Sequence, residues 1–297
     1  MSSGYTFVAL LVALLLAAPA AAQQKKPIPK VQLNQQALDK LGWRLGSQAY
    51  TFRKLSLFET IDVLSAMGIR YIEMYPGQRY SPEESNLKAD HNLPPEKVEQ
   101  LIRKLKDSNV TAVLYGVVGL PNNEAESRKV FEFAKKMGLE TIVSEPPAEA
   151  IELLDRLAGE YQINVAIHNH PAPSSYADCK SVLKTIDGHS QRVGACADIG
   201  HWARSGLTPV ECIRALKGRI ISLHAKDIDE HKEDVVWGTG KVDVKAVLVE
   251  LKRQNARPIF SIEYEKGEGD ELIANVARSV EYFNQVAAEL AAQDSER

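Results

Sequence analysis

Val193-Gly194-Ala195-Cys196-Ala197-Asp198 is a run of small and apolar residues that stops on a carboxylate, and Ile199-Gly200-His201 follows without a break. A half-exposed strand alternates apolar with polar residues; this run does not, so it reads as a parallel strand covered on both faces. Seven other strand-like runs occur at 44–51, 71–75, 110–117, 141–144, 163–168, 220–224 and 259–263. Helical patterns separate them, near 57–67, 95–107, 124–137, 148–161, 176–186, 209–216, 244–254 and 271–292. In the first of these, Leu57, Ile61, Leu64 and Met67 fall on one helix face, and Gly68 is placed to cap its end. Strands alternating with helices make parallel βαβ units, and eight such pairs close a barrel. The expectation is an α/β fold, a single-domain (β/α)8 barrel over residues 42–293. The rival, an open doubly wound sheet, usually carries a Gly-rich nucleotide loop after its first strand. None is present there; Gly238-Thr239-Gly240 comes late in the chain.

Of the 297 residues, 44% are hydrophobic and 25% charged, which suffices for one large core. A net charge of -3 and a pI near 6.2 give no broad basic field, so the composition argues against nucleic acid and for small-molecule ligands. Residues 7–22 form a Leu/Ala-rich run ending in Ala20-Ala21-Ala22, ahead of the polar Gln23-Gln24-Lys25-Lys26. They read as a secretory signal peptide, residues 1–22, although residues 1–6 contain no Lys or Arg. An uncleaved anchor is the alternative, but the run is short for a bilayer span. Residues 23–41 read as a polar linker. No other run is long and apolar enough to span a membrane, so the mature chain is expected to be soluble, periplasmic or secreted, without membrane contact after cleavage. Cys179, Cys196 and Cys212 are too few for a disulfide framework and read as buried apolar residues, with one optional disulfide. The oligomeric state stays open, a homo-oligomer included.

In such a barrel the active site forms at the C-terminal ends of the strands. Those ends carry Glu145 after the fourth strand, His168 and His170 after the fifth, Asp198 and His201 after the sixth, His224 after the seventh and Glu263 after the eighth. Four of the chain's seven histidines are in this set, whereas surface histidines would be scattered. A set of carboxylates with a few imidazoles suits Mn2+, Mg2+, Zn2+ or Co2+. Taken singly, each has a plain alternative: strand-end acids cap helices, and a histidine beside an apolar run is often a hydrogen-bonded core residue.

The segments Leu45-Gly46-Ser47-Gln48, Tyr71-Ile72-Glu73, Ala166-Ile167-His168-Asn169-His170-Pro171, Asp198-Ile199-Gly200-His201, Leu223-His224-Ala225-Lys226-Asp227, Gly238-Thr239-Gly240-Lys241-Val242-Asp243 and Ile262-Glu263 resemble, in that order, the sugar phosphate isomerase/epimerase family. Its members share the xylose isomerase-like TIM barrel, and endonuclease IV is a relative. The resemblance implies a metal held by a carboxylate on the fifth strand, an Asp on the sixth, a His on the seventh and a Glu on the eighth. Asp198, His224 and Glu263 match the last three. At the first position the family has Glu in an Ile-Glu-Asn-His context, and this chain has His168. Either His168 takes that place as ligand or general acid/base, or Glu145 compensates as ligand or base.

Metal and base together suit abstraction of a proton beside a carbonyl, which leaves an enediolate. Glu145 or Glu263 is the expected base, with Lys226 adding positive charge near the developing anion. His170 and His201 are expected to bind sugar hydroxyls, and Asp227 to orient His224. Tyr50, Glu73, Tyr115, Trp202 and Trp237 are candidates for a sugar-binding wall, packing of loops over the barrel being the other reading of the aromatics. Export favours a free or keto-sugar over a phosphorylated one. The outcome is isomerisation, epimerisation, or loss or addition of water, as in the family's 3-keto-glycoside lyases and hydratases. A nuclease and a non-catalytic sugar-binding barrel are the readings from other classes; the charge speaks against the first, and the missing fifth-strand Glu lends weight to the second.

Overall fold

The computed structural model describes residues 27–293, so the signal-peptide expectation lies outside the described residues. Its strands are β1 Arg44–Gln48, β2 Tyr71–Met74, β3 Gln78–Arg79, β4 Lys88–Ala89, β5 Thr111–Tyr115, β6 Thr141–Ser144, β7 Asn164–Ile167, β8 Val193–Asp198, β9 Ile220–Ala225 and β10 Ile259–Ile262. All but β3 and β4 form one closed parallel barrel in sequence order, with β1 pairing β2 on one side and β10 on the other. The helices are α1 Gln35–Leu41, α2 Leu57–Met67, α3 Pro95–Asp107, α4 Glu124–Met137, α5 Ile151–Tyr161, α6 Cys179–Ile186, α7 Ile199–Arg204, α8 Pro209–Ala215, α9 Val244–Arg253 and α10 Gly269–Ala292. α2 begins at a capping box in which Ser56 and Glu59 satisfy each other's backbone N–H groups, and ends at Gly68 with φ +84°.

Three expectations need correction. The described part of the 23–41 stretch is not simply a linker: α1 buries Ala37, Leu38 and Leu41 and packs on α10, because its apolar residues recur at helical spacing. The first run does not stay extended to residue 51, since Ala49–Phe52 coil into a 3-10 turn that Gln48 caps by accepting from the Tyr50 N–H. The 110–117 run ends at Tyr115, where Gly116 passes so close to β6 that a Cβ would lie 2.3 Å from the Val143 carbonyl oxygen. All three cysteines are buried free thiols. Among the described residues no helix is long and apolar enough to cross a membrane.

Side chains alternate along a strand, and this parity builds the site. On β8, Ala195 and Ala197 join the main core against the helices, while Cys196 joins Val113, Val143, Ala166 and Ile259 in an inner cluster. Two residues further on the same parity come Asp198 after Cys196, His168 after Ala166, and Glu263 at twice that step from Ile259. The inner apolar layer therefore forms a floor, and the polar strand ends stand above it.

Candidate metal centre

Three of four strand-end side chains are tied to the protein by one atom and leave another unused, and Glu263 joins them. His168 places Nδ1 2.9 Å from Glu145 Oε1. Asp198 caps α7 by accepting the His201 N–H at Oδ1, 2.7 Å. His224 turns Nε2 to both oxygens of Glu73, 3.0 Å each. The remaining atoms, His168 Nε2, Asp198 Oδ2, His224 Nδ1 and Glu263 Oε2, are buried without a hydrogen-bond partner. They face one another. Asp198 Oδ2 lies 3.5 Å from His168 Nε2 and 3.8 Å from His224 Nδ1, and Glu263 Oε2 lies 2.9 Å from His224 Nδ1 without hydrogen-bond geometry. One ligand atom from each of the four residues falls within 4.8 Å of all the others.

Carboxylates only accept, so His168 donates from Nδ1 to Glu145 and His224 from Nε2 to Glu73; a cation at the centre would take the place of any second ring proton and use the lone pair of each inward nitrogen. Four converging atoms without hydrogen-bond partners, of which only the two carboxylate oxygens have the Lys226 ammonium nearby, are costly to bury and fit a cation. Two imidazoles and two carboxylates are a donor set for a transition-metal dication, and both rings have the carboxylate behind them that orients metal-binding histidines. Beside the centre a cavity of about 310 Å³ is lined by Gln48, Tyr50, Tyr75, Gly116, Val117, His170, His201, Glu263 and Glu265. A cavity of equal size between the β1–α2 and β10–α10 connections contains none of the four convergent residues.

Residues 61–286 match the model of the xylose isomerase-like TIM barrel family. The chain belongs to this family. A solved structure of an uncharacterised protein from Parabacteroides distasonis is 34% identical, covering 82% of this chain and 99% of its own, at a TM-score of 0.68. A D-tagatose 3-epimerase-like protein superposes at TM-score 0.67 with 18% identity over 85% of this chain and 99% of its own. The IolI protein, solved with a bound zinc atom, superposes at 0.63 with 15% identity over 84% and 98%. At the last two identities the likeness speaks for the fold alone. No curated protein matches the sequence.

Within this family barrel the other expected site residues are distributed unevenly. Glu145 stands outside the four-atom centre: its Oε1 is also 2.6 Å from His170 Nδ1 and accepts the His170 N–H at 2.8 Å, and its Oε2 accepts from Ser174 at 2.7 Å. It holds His168 and His170 in place, which corrects its expected role as ligand or base. Glu73 is 1% exposed beneath the centre, bonded to His224 and to the Ser261 hydroxyl at 2.5 Å, so it cannot reach a sugar. Trp237 is 1% exposed and packs on Phe283 of α10, ring centroids 6.4 Å apart, away from the cavity. Trp202 and Tyr115 are likewise buried. Asp227 does not touch His224; it accepts the backbone N–H groups of Ile228, Gly238, Gly240 and Val242, all at 2.9 Å, and so cradles the Gly238-Thr239-Gly240 loop. A Cβ on Gly240 would sit 2.3 Å from Asp227 Oδ1, so that approach needs glycine. The cavity does take His170, His201, Glu263 and Tyr50. Gln48, Tyr75 and Glu265 were missed; Glu265 shares the parity of Glu263, which was the available signal.

Electrostatics suit a dication. Burial opposes the charge on Asp198, but His201, Lys226 and His168 hold its carboxyl well below the usual carboxylate range. Burial opposes the charge on Glu263 too, and Lys226 and His224 overcome it. Both stay ionised and supply two negative charges. Burial, reinforced by Lys226, pushes His201 down to about 3. Its Nδ1 accepts from Arg204 at 3.1 Å, which leaves the ring proton on Nε2.

Proposed function

We propose that the chain is an exported, divalent-metal-dependent sugar isomerase/epimerase-type enzyme that works on a free or keto-sugar through an enediolate. The observation that carries this is the set of four buried atoms without hydrogen-bond partners, from four successive barrel strand ends, converging beside a cavity of sugar size. A non-catalytic sugar-binding barrel gives no reason to keep that costly arrangement. A divalent ion at the centre would polarise a carbonyl and a neighbouring hydroxyl oxygen and ease loss of the adjacent proton.

The protein's own groups divide the remaining work. Glu263 lines the cavity, remains ionised, and is the carboxylate that takes and returns the carbon-bound proton. His168 is committed, with Nδ1 on Glu145 and Nε2 turned to the centre, so it is a ligand and not a base. His170 and His201 present ring nitrogens to hydroxyl groups, and Tyr50 and Tyr75, packed edge to face at 5.2 Å, form the wall for the sugar's apolar face. One observation favours the second reading, a 3-keto-glycoside lyase or hydratase. With His168 where the family has a second carboxylate, proton transfer rests on Glu263, which suits loss or addition of water better than proton exchange on both faces of one carbon.

Elemental analysis of the purified protein beside Asp198→Ala and His224→Ala tests the metal. Equal, substoichiometric metal in all three would overturn it. Solvent deuterium incorporation into a panel of keto-sugars tests the enediolate; turnover with no incorporation speaks against it.

A further inference from the structure

Lys226 follows His224 by two residues and points the same way, into the barrel mouth, with a side chain that has 0% exposure. Its stem lies along the backbone of Gly200, where a Cβ would come within 2.5 Å of the Lys226 Cβ. Thus clamped, the ammonium donates to Glu265 Oε1 at 2.6 Å and sits 2.8 Å from Glu263 Oε2 and 3.0 Å from Asp198 Oδ2. Three carboxylates surround this ammonium, and Lys226 is fully buried and does not line the cavity, so the expected role of Lys226 beside a developing anion is replaced. Asp198 Oδ2 and Glu263 Oε2 are also two of the four atoms that face the centre.

We infer that Lys226 is a resident counter-cation of the metal centre, a positioning residue that neutralises Asp198 and Glu263 in the metal-free protein and competes with the metal for them. Glu265 is the carboxylate that draws it away. This rests on the assignment of the four convergent residues as metal ligands. The physical ground is that two ionised carboxylates, 0% and 8% exposed, cannot stay buried without compensation, and a preformed ligand set would otherwise be pushed apart before metal arrives. The neighbours leave Lys226 in this role. Arg204 is spent on Asp234 at 2.6 Å and stands 3.6 Å from Glu265, and the His168 and His224 rings, which also face the two carboxylates, are each bonded to a supporting acid. Competition follows from charge: removing a cation a few ångströms from a bound dication strengthens that ion's hold, even with a screened interaction.

The test uses the full chain, stripped of metal, with Mn2+ alone as the probe, read by thermal unfolding and by titration. Lys226→Met is expected to lower the metal-free Tm by roughly 10 °C, as loss of one partner from a buried ionic cluster does in a chain of this size. Saturating Mn2+ is expected to recover most of that loss, and Mn2+ affinity to rise about tenfold. Glu265→Gln is expected to shift affinity the other way, by a few-fold, because the ammonium then presses on Asp198 and Glu263. A structural role alone would move both variants in one direction. Unchanged or weaker Mn2+ binding by Lys226→Met, or a metal-free Tm equal to wild type, overturns the inference. If Lys226→Met does not fold without metal, Glu265→Gln decides, and binding as tight as wild type or tighter overturns it. Should wild type bind no metal at all, the enzymatic reading falls, while the metal-free Tm of Lys226→Met still supports or overturns the counter-cation.

Discussion

The two halves of the barrel mouth are built differently. The second half, from β7 to β10, points four candidate ligand atoms at one centre and ties down His168, Asp198 and His224. The first half offers Gln48, Tyr50, Tyr75, Gly116 and Val117 as cavity wall and sends two acids, Glu73 and Glu145, across to hold the histidines of the other half. The candidate ligands are concentrated in one arc of strands, and cavity wall and supporting acids come from the other. Precision at the centre therefore depends on residues more than a hundred positions away that never face a substrate, as the Glu73–His224 contact shows.

The largest effect should come from the ligand half itself: Asp198→Ala is expected to cut metal affinity well over a hundredfold, read by titration of the stripped protein. Metal content unchanged in that variant would abolish the distinction between the halves. Next comes support from the first half, with Glu145→Ala weakening metal binding about 10–100-fold by freeing the His168 ring. A loss as large as that of Asp198→Ala would make Glu145 a ligand after all. Smaller again, Tyr75→Ala is expected to raise KM about 2–10-fold with metal affinity intact, the size of one lost aromatic contact. Any accompanying drop in metal content would show that wall and centre are not separate. At the site the smallest effect belongs to Trp237→Ala, which should cost about 3–5 kcal/mol of stability as a buried aromatic while leaving metal affinity and KM near wild type. A selective rise in KM there would return Trp237 to the sugar wall.

These contrasts track what could be read from the chain. The barrel was legible because eight strand-like runs alternate with helices, and Asp198, His224 and Glu263 stood out because each closes a strand whose earlier residues are apolar. The boundary errors at residues 51 and 117 arose where the backbone turns over the barrel rim, a bend that apolar composition does not encode. Glu73 and Trp237 were misplaced for a shared reason: Glu73 lies within a strand run and Trp237 in the connection after β9, and neither position says whether a neighbouring element will cover the side chain. Between Glu145 and His168 the sequence offered no choice, since both are ligand types at adjacent strand ends.

By itself the sequence determined the periodicities, and with them the parallel barrel, the inward parity of its strand ends and the kinds of donor atoms available there. Only the closed barrel decided which atoms converge, because closure brings β2 across from β9 and β6 beside β7, spending Glu73 and Glu145 as supports. The physical reason is that a strand fixes the face on which a side chain lies, whereas the identity of its bonding partner depends on distances between strands, which the fold alone sets.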